Sequence, residues 1–296
     1  MSSLKGQSLG FVGLGLMGFP MCSNLIKAGA NVVATTRSSG PLDAIAKAGA
    51  ETVSSPGAVA KKADIIITMV ANTSAVELVL GGDEGILNGL RPGSLVIDMG
   101  STAVTKTRGF AALVEAAGGA YVDAPVSGGT LGAQGGNLTI MAGGEEEALE
   151  RARPVLEVLG TRLTHVGPAG TGQVAKAANQ VIVGLSIGAV AEALMLAAHA
   201  GADTAKVREA LMGGFADSRI LEVHGQRIID GAFKPGARAQ TQLKDLTQAL
   251  ELAEELGIEM PATGLSRDLF DKLVAMDGEN LDHSALIKVL DSDWNP

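Results

Sequence analysis

Leu9-Gly10-Phe11-Val12-Gly13-Leu14-Gly15-Leu16-Met17-Gly18 decides the fold of this chain. A short apolar run of strand character meets a Gly-x-Gly-x-x-Gly turn, and helical spacing follows from about Met17 to Ala28. Gly13 suits the sharp turn and Gly15 lets the backbone approach a pyrophosphate. Gly18 lets the helix pack closely on a sheet, while the first amides of that helix face phosphate charge. A lone glycine fingerprint is a weak signal and fits a purely structural turn as well. Here a second strand, Asn31 to Thr35, follows where a βαβ unit requires it, so dinucleotide binding through Gly13, Leu14, Gly15, Leu16, Met17 and Gly18 is expected.

Working outward, strand-like and helical stretches alternate. Further strands are expected at Ile65–Val70, Leu95–Asp98, Ala120–Asp123, Leu138–Ala142 and Arg162–Val166, with helices at Pro41–Ala48, Pro56–Lys61, Ser74–Leu80, Val104–Ala117 and Glu145–Leu159. The run Ile65-Ile66-Ile67 is apolar throughout, as in a parallel strand buried on both faces. Beyond Gly167-Pro168-Ala169-Gly170 only helical periods are found: Thr171–Ala200, Ala205–Met212, Ile220–Ile229, Gln240–Leu256, Ala262–Ala275 and Ser284–Leu290. The expected fold is therefore α/β: a doubly wound, mainly parallel sheet over residues 1–166, then an all-helical domain over residues 167–296 that opens on a long interdomain helix and serves substrate binding and oligomerisation.

Composition removes several functions. A net charge of −9 and only 3% aromatic residues argue against nucleic acid and against an anionic membrane as partner. The single cysteine, Cys22, has no internal disulfide partner and is expected as a small core residue of a cytoplasmic protein. No segment reads as a targeting peptide. The apolar run Val181 to Ala198 is broken by Ser186, Gly188 and Glu192 and lacks basic flanks, so a buried central helix is expected there rather than a membrane span. That stretch is also more apolar than a small helical domain needs, so subunits of a homo-oligomer are expected to pack through it. His165, His199, His224 and His283 show no ligand-type spacing, so no metal is expected, and no G-x-S-x-G elbow points to hydrolysis.

The second strand ends Ala34-Thr35-Thr36-Arg37-Ser38, with Thr36 where an NAD-binding fold carries its ribose-binding acid, and nothing acidic follows until Asp43. A threonine does not repel a 2′-phosphate, and Arg37 can pair with it while Ser38 adds a neutral hydrogen bond. NADP(H) is therefore favoured, with NAD(H) the alternative if Arg37 is only a solvated loop charge.

Four segments carry a resemblance: the glycine turn with Pro20-Met21; Asp123-Ala124-Pro125-Val126-Ser127-Gly128-Gly129; Gly170-Thr171-Gly172-Gln173-Val174-Ala175-Lys176-Ala177-Ala178-Asn179-Gln180; and Lys244-Asp245-Leu246. In this order and spacing the chain resembles the β-hydroxyacid dehydrogenase family almost end to end. Phe233-Lys234-Pro235-Gly236 and Asp282-His283-Ser284-Ala285-Leu286 look most like its tartronate semialdehyde reductase branch. The resemblance implies a hydride exchange between NADP(H) and a small 3-hydroxy acid or its semialdehyde, with Lys176 as the general acid/base. It further implies Ser127, Gly128, Gly129 and Asn179 at the substrate, Val70, Ala71, Ser101 and Thr102 at the nucleotide, and Lys244 at its nicotinamide end.

On spacing alone Lys176 is as well read as a solvated helical lysine, although a cation one turn into a helix opposes the dipole. Asn179, three residues on, shares its face. Ser127-Gly128-Gly129 on its own reads as a turn. Ala71 departs from the family, which often has proline there, and the contact is largely through backbone. Asp245 is expected either to fix Lys244 or a neighbouring helix, or to sit as a solvated acid. Arg219 is a specificity residue or a helix-start charge. Glyoxylate, succinic semialdehyde and 3-hydroxyisobutyrate are alternative substrates. Imine reduction on the same scaffold is disfavoured by Lys176, and a non-catalytic nucleotide sensor has no use for it.

Overall fold

The computed structural model describes residues 4–294, and the chain divides into two compact units, Met1–Lys176 and Ala177–Pro296. In the first unit β1 (Ser8–Val12), α1 (Gly18–Lys27), β2 (Asn31–Thr35), α2 (Ser39–Lys47), β3 (Glu51–Thr52), α3 (Pro56–Ala60), β4 (Ile65–Thr68), α4 (Thr73–Gly81), β5 (Leu95–Asp98), α5 (Val104–Ala116) and β6 (Ala120–Asp123) alternate strand and helix. They are followed by β7 (Val126–Ser127), α6 (Gly129–Gly135), β8 (Leu138–Gly143), α7 (Glu146–Leu159) and β9 (Gly160–Gly167). The sheet order is β3-β2-β1-β4-β5-β6-β8-β7, with β9 beside β8. The first six strands in that order are parallel; β8 runs antiparallel to β6 and β7.

Both faces of the parallel part of the sheet from β1 to β6 are covered, and successive strand residues feed separate cores, while β9 at the far edge is mostly exposed. Phe11, Ile67, Ile97 and Val122 pack on one side with Met21, Cys22 and Leu25 of α1; Val12, Ile66, Val96 and Tyr121 pack on the other with Phe110 and Val114 of α5. This double burial is why the strands read as unbroken apolar runs. Cys22 is fully buried and its thiol is pushed up to about 12 by that burial, which leaves it unreactive.

The chain turns at Gly13 with φ +102°, where a Cβ would stand 2.3 Å from the Met69 carbonyl oxygen. At Gly18 a Cβ would stand 2.0 Å from the Gly13 carbonyl oxygen, so α1 starts directly against the turn. Only glycine serves at either position.

The helical unit contains most of α8 (Thr171–His199), then α9 (Thr204–Leu211), α10 (Gln226–Ile229), α11 (Ala239–Glu255), α12 (Pro261–Leu273) and α13 (Ile287–Leu290). Ile187 of α8, Leu246 of α11, Phe270 of α12 and Leu286 form its main core. Two expected helices are less regular than their spacing suggests. Leu221–Gly225 is wound as π-helix, and Val274–Gly278 is kinked at the non-helical Met276 and the left-handed Asp277. The buried central helix expected at Val181–Ala198 is corrected. The most apolar 18-residue window of α8 is long and apolar enough to cross a membrane by length and composition, yet only 22% of it is buried, and Ile182 and Leu196 stand exposed. Hydropathy alone does not distinguish a covered face from an open one.

Candidate active site

Strand register places the functional segments of the first unit along one edge. Val12 pairs with Thr35 and Thr68, Thr68 with Asp98, and Asp98 with Asp123, so five parallel strands end in one row. The segments that leave this row are those singled out by sequence: Gly13–Gly18, Thr36-Arg37-Ser38, Val70-Ala71, Ser101-Thr102 and the chain toward Ser127. Strand order reverses direction between β1 and β4, where open α/β sheets bind their ligands.

A pyrophosphate fits the glycine turn. Gly15 is exposed, and no protein atom lies within 4 Å of where its Cβ would stand. The first turn of α1 carries no acidic residue, so no carboxylate of that turn opposes an anion at its N-terminus. At the end of β2, Thr36 is half-buried while Arg37 and Ser38 are exposed, and no carboxylate closes the strand. A 2′-phosphate therefore meets no like charge from these residues.

Two carboxylates that sequence reading had left without a role sit fully buried in the same row. Asp98 accepts from the Thr68 hydroxyl at 2.8 Å, the Gly100 amide at 3.1 Å and the Tyr121 hydroxyl at 3.3 Å. Burial nonetheless raises its pKa to about 6, those three donors only partly opposing it. Folded Asp98 thus holds its proton more tightly than the unfolded chain, whose aspartates titrate near 3.9. Stability is lost as pH rises from about 4 through 6, and above that the cost is about 3 kcal/mol. Asp98→Asn keeps an acceptor for Thr68 and Gly100 and offers Tyr121 an N–H. We expect it to raise Tm at pH 7.5 and to leave it nearly unchanged at pH 4.5, as thermal melts at the two values would show; an unchanged Tm at pH 7.5 would contradict the buried charge.

Asp123 accepts from the Gly170 amide at 2.7 Å and the Gln173 amide at 2.9 Å, capping the start of α8. Burial raises its pKa while these backbone donors pull the other way. A strand-ending Asp after an apolar run was the available sequence signal. Lys176 is half-buried on α8, one turn beyond Gln173. Ser127 closes β7, and Gly128 and Gly129 (φ +133° and +59°) lead into α6, a helix hidden from sequence reading by its glycine content.

In the helical unit Asn179 donates to the Gln180 side-chain oxygen at 2.8 Å, and Gln180 donates in turn to Asp245. Asp245 is buried, not solvated, and pairs with the Lys244 Nζ at 3.0 Å. It therefore both fixes the lysine and ties α11 to α8. Arg219 is exposed and paired with Glu222 at 2.6 Å, the behaviour of a helix-start charge.

The spacing of the histidines misled: among the described residues, His224, Asp282 and His283 come together, with their potential ligand atoms within 4.8 Å. The two Nε2 atoms are 3.2 Å apart, and His224 Nδ1 is 3.5 Å from Asp282. Burial would raise the Asp282 pKa, but His224, His283, Ser284 and the Gly236 amide hold it well below the usual carboxylate range. Arg227, Gly236, Ala237 and Ser284 all donate to its two oxygens. With its acceptor sites so committed, this carboxylate locks two loops together and suits a metal poorly.

Residues 8–167 match the family model of the NAD binding domain of 6-phosphogluconate dehydrogenase, and residues 170–290 that of the NAD-binding domain of NADP-dependent 3-hydroxyisobutyrate dehydrogenase. The chain is 47% identical over 286 residues to the 2-hydroxy-3-oxopropionate reductase of Escherichia coli (strain K12), covering 96% of this chain and 97% of that protein. It is 35% identical to the NAD-dependent L-serine dehydrogenase of Pseudomonas aeruginosa, covering 96% and 98%. The solved Mycobacterium tuberculosis 3-hydroxyisobutyrate dehydrogenase with L-serine superposes with a TM-score of 0.89 at 32% identity, covering 96% of this chain and 99% of that one.

Proposed function

The chain belongs to the β-hydroxyacid dehydrogenase family, and from that premise we propose that it reduces tartronate semialdehyde (2-hydroxy-3-oxopropionate) to glycerate with NADP(H). The observation that carries the reading is Lys176, set one turn into a helix whose start is fastened to the cofactor-binding edge of the sheet. Near-complete coverage of the E. coli reductase at 47% identity supports the choice of substrate.

Gly13, Leu14, Gly15, Leu16, Met17 and Gly18 hold the pyrophosphate, Thr36, Arg37 and Ser38 the adenosine ribose and its phosphate, and Val70, Ala71 and Thr102 the middle of the dinucleotide. Lys244 is assigned to its nicotinamide end. When bound, the nicotinamide supplies the hydride for reduction and receives it in oxidation. Lys176 Nζ gives its proton to the carbonyl oxygen of the semialdehyde and recovers it from the alcohol in reverse. Ser127, Gly128, Gly129 and Asn179 bind and orient the substrate carboxylate through a hydroxyl, backbone amides and a side-chain amide. The exposed apolar face of α8 is assigned to packing between copies of this chain, as a homodimer or homotetramer in the cytoplasm.

Steady-state rates with NADPH and NADH across tartronate, succinic and methylmalonate semialdehydes and glyoxylate test this reading. We expect the highest kcat/KM for tartronate semialdehyde with NADPH. Tight cofactor binding without turnover of any of them would favour a nucleotide sensor. The named L-serine dehydrogenase relative keeps NAD(H) and a 3-hydroxy amino acid as the second reading. Cofactor choice has a separate check: Arg37→Ala should raise KM for NADPH by about 10- to 100-fold, the worth of a charge-assisted hydrogen bond, and leave KM for NADH nearly unchanged. Equal losses for both would remove Arg37 from the 2′-phosphate.

A further inference from the structure

We propose that Gln173 is a positioning residue that bolts the Gly100–Thr102 loop to the first turn of α8 and so holds Lys176 in register with the cofactor-binding edge; the proposal rests on the acid/base reading of Lys176. Gln173 is only 2% exposed, and both ends of its amide are used. Its Nε2 donates to the Gly100 carbonyl at 2.9 Å and its Oε1 accepts from the Thr102 amide at 3.1 Å. A buried glutamine persists only where its amide is answered. Here the answering groups are main-chain atoms of the loop that follows β5.

That loop is anchored elsewhere as well. The Thr102 and Thr107 hydroxyls are 2.7 Å apart, and the Ala103 amide donates to the Thr73 hydroxyl at 3.0 Å. The loop is thus fixed to the starts of α4 and α5, and the element whose place Gln173 sets is α8. Two further contacts seat α8. Asp123 takes the Gly170 and Gln173 amides, and Gly172 lies so close to the sheet that a Cβ would stand 2.5 Å from the Met141 carbonyl oxygen. Lys176 is three residues past Gln173, one helical turn on and over the same face. A shift of the helix start by under an ångström moves the lysine nitrogen by a comparable distance, and a misplacement of that size lowers a proton-transfer rate by about 10- to 100-fold.

Two variants of the full chain test this. Gln173→Met keeps the length and apolar bulk but loses both hydrogen bonds. We expect kcat to fall by about tenfold or more, at temperatures well below its Tm, while KM for the semialdehyde moves less than about threefold. Without cofactor or substrate, exchange of the Thr102 amide proton should accelerate. Gln173→Glu keeps the acceptor for Thr102 but presents an oxygen to the Gly100 carbonyl. Thr102 exchange should then stay slow, and the ratio of variant to wild-type kcat should rise as pH falls and the carboxyl regains a proton to donate. A merely structural role moves Tm without producing that pH-dependent rescue. Wild-type kcat with unchanged Thr102 exchange in Gln173→Met overturns the proposal, as does a flat Gln173→Glu ratio across pH. If Gln173→Met does not fold, the Gln173→Glu ratio decides. Turnover retained in Lys176→Ala would instead strike the acid/base reading, while Thr102 exchange would still report on the clamp.

Discussion

Replacing Lys176 by alanine is expected to lower kcat by about 10²- to 10⁴-fold, the range for loss of a positioned acid/base, while the dissociation constant for NADPH changes little. The helix start that bears the lysine is held by the Asp123 carboxylate and the Gln173 amide, neither of which needs its side chain. The variant should therefore fold and bind dinucleotide. Lys176→Arg separates charge from proton transfer, because a guanidinium keeps the cation yet does not give up its proton at working pH. Both variants should be equally slow if proton transfer is the role; an active arginine variant would make the lysine a carboxylate-binding cation instead. Single-turnover rates with saturating NADPH, alongside cofactor titration by fluorescence, separate chemistry from binding. Wild-type-like turnover in Lys176→Ala would refute the assignment.

Much of the fold was legible because parallel strands buried on two faces are written as continuous apolar runs. Ile65-Ile66-Ile67 is the clearest case, whereas the eight-residue β9 (Gly160–Gly167) is mostly exposed and carries no such run. The two-residue strands β3 and β7 escaped because Glu51-Thr52 and Val126-Ser127 are too short to display any period. The helix α6 escaped because Gly129, Gly132 and Gly135 resemble a loop. In the helical unit the number of segments was readable, but the π-wound turn at Leu221–Gly225 and the kink at Met276-Asp277 were not, since a π-turn differs from α-helix only by hydrogen bonds that reach one residue further and a kink of two residues leaves no periodic mark.

The candidate site divides along the same line. Glycines and a helix lysine announce themselves locally. The buried groups that hold them do not, because their partners lie far along the chain. Asp123 meets residues 47 and 50 positions away, and Gln173 meets residues 71 and 73 positions away. His224 and Asp282 likewise come together only through tertiary packing. The same distance in sequence that concealed these contacts explains their use. A strand edge and a helix start from separate elements are made into one rigid piece by one carboxylate and one carboxamide.

The glycine turn yields the second large expectation, a dissociation between two positions only two residues apart. Gly13→Ala should be severe. Its φ of +102° is strained for any side chain, and the new Cβ would stand 2.3 Å from a backbone oxygen of the neighbouring segment, which has no flexible end to swing aside. Because the Gly13 amide also donates to the Thr35 carbonyl at 2.9 Å, relief by moving the turn breaks the link to β2. A loss of about 3–5 kcal/mol follows from strain and clash together, with Tm lower by about 10 °C. Gly15→Ala should behave in the opposite sense. Its Cβ enters open space and its φ is not in the left-handed region, so Tm should stay within a few degrees of wild type. That same methyl group occupies the approach a pyrophosphate needs, and NADPH affinity should fall by about 10- to 100-fold, the equivalent of one or two lost hydrogen bonds to a charged acceptor. Calorimetry on the cofactor-free chain and fluorescence titration with NADPH read the two effects independently. A Gly15→Ala protein of normal stability and normal NADPH affinity would mean that the dinucleotide does not lie on this turn, and the glycine spacing would then describe only how β1 joins α1.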